Sequence, residues 1–224
     1  MSNPYFRFKQ FTVWHDRCAM KVGTDGVLIG AWCDVDACRR ILDVGCGTGL
    51  ISLMIAQRTS DRTMKEGVEI DAVAAEQAAE NTDRSPWKNR LRIHTSDFLD
   101  FATSATVRYD HIVSNPPYFE KSLLPEDAAR LTARHTGRLT YESLLRGAVS
   151  LLLPGGRISL IFPAGLHDSV SAIARKYGLF VRRTMWVSGR EGMPPKRVMV
   201  EWVNKPSEIR EERHRCNGRP NISI

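Results

Sequence analysis

No apolar run in this 224-residue chain approaches the roughly 20 residues that would cross a bilayer. Its opening, Met1-Ser2-Asn3-Pro4, lacks the basic and apolar blocks of a secretory leader, so a cytoplasmic protein is expected. Cysteine is sparse: Cys18, Cys33, Cys38, Cys46 and Cys216 make an odd set without paired metal-type spacing. That excludes a disulfide framework and predicts free thiols and no bound metal. Internal repeats, low-complexity tracts and interdomain linkers are missing too. The chain therefore reads as one domain over 1–224, long enough to bury a full core. Within it, 1–33 form an N-terminal hairpin and helix, 34–203 the core, and 204–224 a basic tail; a monomer is expected. Acid is the scarcer charge, with 25 Asp and Glu against 32 Lys and Arg, a net charge of +7 and a pI near 9.4. Such a balance favours a polyanionic partner.

What the chain does have is a motif that calls for chemistry. Tyr109–Val113 is β-branched and aromatic, the pattern of a buried strand, and it runs into Ser114-Asn115-Pro116-Pro117-Tyr118. The lone pair of an exocyclic amine on a planar base is delocalised into the ring, which makes the amine a poor nucleophile. Two fixed acceptors, the Asn115 side-chain oxygen and the Pro116 carbonyl, would hold both N–H bonds out of conjugation. The prolines restrict the turn, and Tyr118 offers a face on which an extruded base stacks. A rigid structural turn is the competing reading.

Upstream, Phe6–Trp14 partly alternates and predicts a small hairpin. Thr24 or Asp25 is expected to cap a helix through the apolar segment Val27–Trp32. Strand Ile41–Val44 breaks at Gly45-Cys46-Gly47-Thr48-Gly49 and is followed by a helix over Leu50–Arg58. Glycines at that junction let backbone approach a ligand closely and present N–H groups to it. The G-x-G-x-G spacing departs from the dinucleotide fingerprint and argues against a nicotinamide enzyme. Asp43, inside the strand end, would orient the loop or meet a ligand ammonium.

A second strand, Gly67–Ile70, carries Glu69 twenty residues past Gly49, where an acid can accept both hydroxyls of an adenosine ribose. Asp71 could do the same, but suits the cap of a helix over Ala72–Asn81. After a third strand, Leu91–His94, comes Asp97, placed to accept from a bound adenine amine with Phe98 beside the ring. A helix cap on Phe98–Ala102 is compatible with that role.

Together Asp-Val-Gly-Cys-Gly-Thr-Gly, Val-Glu-Ile-Asp, Ser-Asp-Phe and Asn-Pro-Pro-Tyr resemble the class I S-adenosylmethionine-dependent methyltransferases that modify amines. More narrowly, Phe8–Phe11, His15–Gly26 and Ser85-Pro86-Trp87 resemble the bacterial tRNA(Val) adenine-methylating family, strongly from about Phe6 to Tyr118 and loosely to about Val203. The resemblance implies an α/β, Rossmann-like fold with a seven-stranded, mostly parallel sheet, an antiparallel last strand and helices on both faces. It implies S-adenosylmethionine as cofactor and an anticodon-loop adenosine of tRNA as substrate. It puts Gly45, Gly47, Glu69, Asp97 and Asn115 on cofactor- and substrate-binding positions, and Lys21 and Thr24 in an N-terminal cofactor-contacting motif. The tail Glu208–Ile224 departs from the family's usual final segment.

About twenty residues separate Tyr118 from a helix over Tyr141–Leu152, and they carry Arg130, Arg134, His135 and Arg138. Either a lid contacting RNA phosphates or a partly helical surface loop fits that length. Between Arg175 and Met199 stand seven basic residues against Glu191 alone. In the fold implied, the loop Ser188–Pro195 emerges at the carboxyl ends of the strands, so Arg190, Lys196 and Arg197 are expected to hold RNA phosphates. A protein-glutamine methyltransferase acting on a release factor, a guanine-amine rRNA methyltransferase and a catalytically silent RNA binder are the alternatives. None of His94, His111 or His135 is expected to act as a base, because a methylated amine sheds its proton readily.

Overall fold

The computed structural model describes residues 3–117 and 139–205, and the backbone course of Arg210–Arg215. A two-stranded hairpin, β1 (Tyr5–Arg7) and β2 (Thr12–Trp14), precedes α1 (Thr24–Trp32). Then β3 (Arg40–Val44), α2 (Leu50–Arg58), β4 (Met64–Glu69), α3 (Ala72–Asp83) and β5 (Leu91–Thr95) alternate as parallel βαβ units. They are followed by α4 (Phe98–Ser104), β6 (Tyr109–Ser114), α5 (Tyr141–Leu151), β7 (Leu152–Pro163) and α6 (His167–Lys176). The chain closes with β8 (Phe180–Ser188), β9 (Arg197–Val203) and β10 (Arg210–Arg215).

The sheet order is β10-β8-β9-β7-β6-β3-β4-β5. Strands β3 to β7 are mutually parallel, and β9 is antiparallel to both β7 and β8. These seven strands form the expected sheet. The eighth, β10, pairs parallel to β8 at the edge and lies in the segment read as a basic tail.

Side-chain alternation in β9 shows how the sheet is covered on both faces. Val198, Val200 and Trp202 face a cluster with Leu144 and Leu145 of α5 and Val170 of α6, where the rings of Trp202 and Phe162 stack 6.1 Å apart. Met199 faces the other way, into a cluster with Leu28 and Ile29 of α1 and Ile51 and Ile55 of α2. Glycine lets α1 and α2 meet closely: a Cβ at Gly30 would stand 2.9 Å from the Met54 sulfur.

Glu201, also on β9, is fully buried and ion-paired to Arg182, with Arg183 at 3.9 Å. His111 meets Ser159 Oγ through Nε2 and the Asp34 carbonyl through Nδ1, both at 2.8 Å. Burial lowers the His111 pKa to about 4, so its ring is neutral at pH 7. Arg182 and Arg183 thus serve this internal network rather than a solvated basic face.

The capping expected at α1 is corrected. Gly23 takes the cap position in extended conformation and no side chain caps the helix. Thr24 is already helical, and the Asp25 carboxylate accepts from Arg197 Nε at 2.9 Å. The caps at Asp71 and Asp97 are present, accepting from Val73 N–H at 3.0 Å and Leu99 N–H at 2.6 Å. Cys18, Cys33, Cys38 and Cys46 are buried thiols, none in a disulfide. Among the described residues no helix is long and apolar enough to cross a membrane.

Candidate active site

The carboxyl ends of β3, β4, β5 and β6 converge on a cavity of about 270 Å³, near the small end of ligand sites (roughly 300–1,000 Å³). Its floor is the turn after β3. Gly45, Gly47 and Gly49 adopt φ of +69°, +52° and +77°, a region costly for residues with a Cβ. A Cβ on Gly45 or Gly47 would meet no atom within 4 Å, although both residues line the cavity. It would therefore project into the ligand's space.

Four of the five N–H groups of this turn are spent within the protein rather than presented to the cavity as expected. Those of Gly45 and Cys46 donate to the Val68 carbonyl, and that of Gly49 to the Cys46 carbonyl. Gly47 N–H donates to Glu69 Oε2 at 2.8 Å, while Glu69 Oε1 accepts from Asp71 N–H at 3.0 Å. Each carboxylate oxygen keeps a second lone pair, so Glu69 is oriented by backbone and can still accept from a ligand.

Of the residues read from sequence, Gly45, Gly47, Glu69, Asp97, Phe98 and Asn115 all line the cavity, with Asp71. Asn115 stands just beyond β6, whose Ser114 Oγ donates to the Val44 carbonyl at 2.6 Å and ties the two strand ends together. Pro116 is buried and Pro117 exposed. Tyr118, Arg130, Arg134, His135 and Arg138 lie outside the described residues.

Three expectations are displaced. Asp43 lies behind the wall, 1% exposed, with Oδ2 accepting from both the backbone N–H and the hydroxyl of Ser52. Its Oδ1 has no partner among the described residues, and burial pushes the carboxyl pKa up to about 7 despite the Ser52 bonds. Lys21 and Thr24 are exposed and do not line the cavity. Arg197 is engaged with Asp25, whereas Arg190 and Lys196 are exposed.

Sequence reasoning missed the wall made by Cys18, Ala19 and Met20. Side chains of α3 hold it. Asn81 accepts from Trp14 N–H at 2.9 Å and donates to the carbonyls of Trp14 and Thr48, so one amide joins the hairpin to the glycine turn. Gln77 donates to Asp16 at 2.7 Å and accepts from Arg17 N–H. The polar interruptions in an Ala-rich, otherwise buried helix face were the available signal. Burial and the nearby Asp71 and Glu69 push the Cys18 thiol pKa up to about 11, and burial with Asp43 and Glu69 pushes Cys46 well above its ordinary value, so neither is a thiolate nucleophile at neutral pH.

Glu69, Asp71 and Asp97 give the wall three carboxylates, and among the described residues no Lys or Arg lines it. Val44, Val68, Ile70 and Phe98 supply apolar surface. A flat ring on a ribose that also carries positive charge fits both halves of this chemistry.

The methyltransferase small domain family matches residues 26–171 of the chain. A tRNA1(Val) (adenine(37)-N6)-methyltransferase of Bacteroides fragilis is 49% identical over 95% of this chain and 90% of its own length. A like-named protein of Yersinia enterocolitica is 47% identical over 91% of this chain and 81% of its own. This chain belongs to the tRNA1(Val) adenine-methyltransferase family. Among solved structures, a predicted O-methyltransferase from Agrobacterium tumefaciens superposes with a TM-score of 0.65 at 20% identity over 86% of each chain, a likeness of fold. As a member of this family the protein is an S-adenosylmethionine-dependent methyltransferase. The glycine cradle and the acidic wall fit that cofactor.

Proposed function

We propose that this protein methylates the N6 amine of an adenosine in tRNA, and that the adenosine is position 37 of tRNA1(Val), as the names of its relatives state for them. The observation that carries the reading is the position of Asn115. It stands just past β6 on the wall of the same cavity that Gly45, Gly47 and Glu69 line.

When bound, S-adenosylmethionine supplies an electrophilic methyl on its sulfonium. In this reading Glu69 accepts from the ribose hydroxyls and Asp97 from the cofactor's adenine amine, with Phe98 against the ring. The Asn115 side-chain oxygen and the Pro116 carbonyl accept from the two N–H bonds of the target amine, localising its lone pair toward the methyl. Tyr118 stacks on the extruded base. Rate comes from proximity and oriented acceptors, worth several orders of magnitude together. No side-chain base is needed, because the methylated amine loses its proton to solvent. His111, buried and neutral on β6, stays a structural group. An adenine amine suits the relatives' names better than a release-factor glutamine or a guanine.

The test is nucleoside mass analysis after incubating the protein with cofactor and bulk tRNA, rRNA or a release factor. N6-methyladenosine in tRNA is expected, and Asn115→Ala should lower single-turnover rate by about two orders of magnitude with cofactor affinity retained. Methyl appearing only in protein or guanosine would overturn the reading.

A further inference from the structure

At the same end of the sheet as the proposed catalytic turn, three strands along, stands an aromatic pair that the reaction itself does not use. The rings of His167, at the start of α6, and Trp186, near the end of β8, lie 4.8 Å apart with planes inclined at 47°. Both are part-exposed, and Trp186 packs its inner side against the α5–α6 core. Backbone bonds bring Lys196 to this pair from two directions. Its N–H donates to the carbonyl of Val187, next to Trp186, and its carbonyl accepts from Ala164 N–H, three residues before His167.

The charges around the pair are unequal in availability. Of the seven basic residues between Arg175 and Met199, Lys176 bonds Glu142, Arg182 and Arg183 serve Glu201, and Arg197 serves Asp25. Arg175, Arg190 and Lys196 are exposed with no side-chain partner among the described residues, and Arg175 lies in the last turn of α6, about 12 Å along the helix from His167. The nearby acids are engaged: Asp168 meets His167 Nδ1 at 2.9 Å, and Glu191 is not free. The rim therefore offers two unneutralised cations beside two partly exposed rings.

Position ties the rim to the target. Trp186 pairs with Val198 of β9, which pairs with Phe162 of β7, and β7 adjoins β6, so Trp186 lies three strand spacings, about 14 Å, from the β6 end that precedes Asn115. From these observations we infer that His167 and Trp186 form a second nucleotide subsite, which stacks one unpaired base immediately flanking the target while Lys196 and Arg190 hold the adjoining phosphates. It rests on the tRNA reading above. Aromatic faces with adjacent cations are how single-stranded nucleic acid is held without base-edge readout.

The experiment compares RNA KM and kcat for wild type, His167→Ala, Trp186→Leu and Trp186→Phe. Substrates are tRNA1(Val) transcripts, either unaltered or with a single abasic nucleotide 5′ or 3′ of the target adenosine. On unaltered RNA, His167→Ala and Trp186→Leu should each raise KM roughly tenfold, with kcat and cofactor affinity retained and Trp186→Phe near wild type. One of the two abasic RNAs should cost wild type a similar factor, and on that RNA the variants should lose nothing more. Variants that keep the wild-type melting temperature and KM would overturn the subsite, as would losses that multiply on both abasic RNAs. Should Trp186→Leu fail to fold, His167→Ala carries the comparison. A wild-type protein that leaves unaltered tRNA unmethylated would instead overturn the RNA reading, and the subsite with it.

Discussion

At the scale of single residues, carboxylates do most of the work of this cavity, and they differ by surroundings. Glu69 is pinned by two backbone N–H groups and faces the cavity. Glu69→Ala should weaken cofactor binding by about 1–3 kcal/mol, the usual loss of a charged acceptor to hydroxyls. Unchanged affinity in calorimetry would move the role to Asp71. Asp43 behaves oppositely, because it is buried with one oxygen unpartnered and its pKa is raised to about 7. Between the unfolded value near 4 and about 7, the folded state holds a proton that the unfolded chain releases, so stability falls as pH rises through that window. Asp43→Asn keeps an acceptor for Ser52 and removes the titration. Its melting temperature, relative to wild type without cofactor, should therefore climb from pH 4 to pH 8; a gap independent of pH would refute the assignment.

At the scale of elements, α3 acts as a clasp. Its buried Asn81 makes three bonds that join β2 to the glycine turn, and Gln77 makes two more to the segment leading to Cys18–Met20. Removing the amide leaves the Trp14 and Thr48 backbone groups without that partner, each at about 1–3 kcal/mol where buried. Asn81→Ala should lower stability by roughly 2–4 kcal/mol, loosen hydrogen-exchange protection around Trp14 and weaken cofactor binding, although Asn81 does not line the cavity. Protection changes at β2 with cofactor affinity intact would show that His15, bonded to Asn3 and Val22, holds the wall instead.

At the scale of the whole molecule, the net charge of +7 overstates what an RNA can use. Four of the seven basic residues in the Arg175–Met199 stretch hold the fold together. Arg175 sits at the far end of α6, which leaves Arg190 and Lys196 at the rim. Replacing both by Ala should raise the tRNA KM and reduce the magnitude of the slope of log affinity against log salt by about 1.4, at roughly 0.7 per phosphate contact on single strands. Cofactor affinity should not move. An unaltered salt slope would place the RNA on another face.

The alternation of strands with helices, the glycine turn and the acids at strand ends were legible from sequence because each rests on local chemistry. Buried strands need β-branched runs, a turn at positive φ needs glycine, and helix starts want an Asp such as Asp71 or Asp97. The line of Gly45, Glu69, Asp97 and Asn115 along one edge of the sheet follows from that periodicity. Tertiary structure alone decided which groups were already spent. The N–H groups of Gly45, Cys46 and Gly47 went to Val68 and Glu69, and Asp43 was sealed beneath the turn with Ser52. Arg182 and Arg183 were drawn inward by Glu201, and α3 carried the Cys18–Met20 segment over the cavity. Those outcomes depend on partners 9 to 67 residues away in the chain, and no local pattern records which polar groups will meet once the sheet closes.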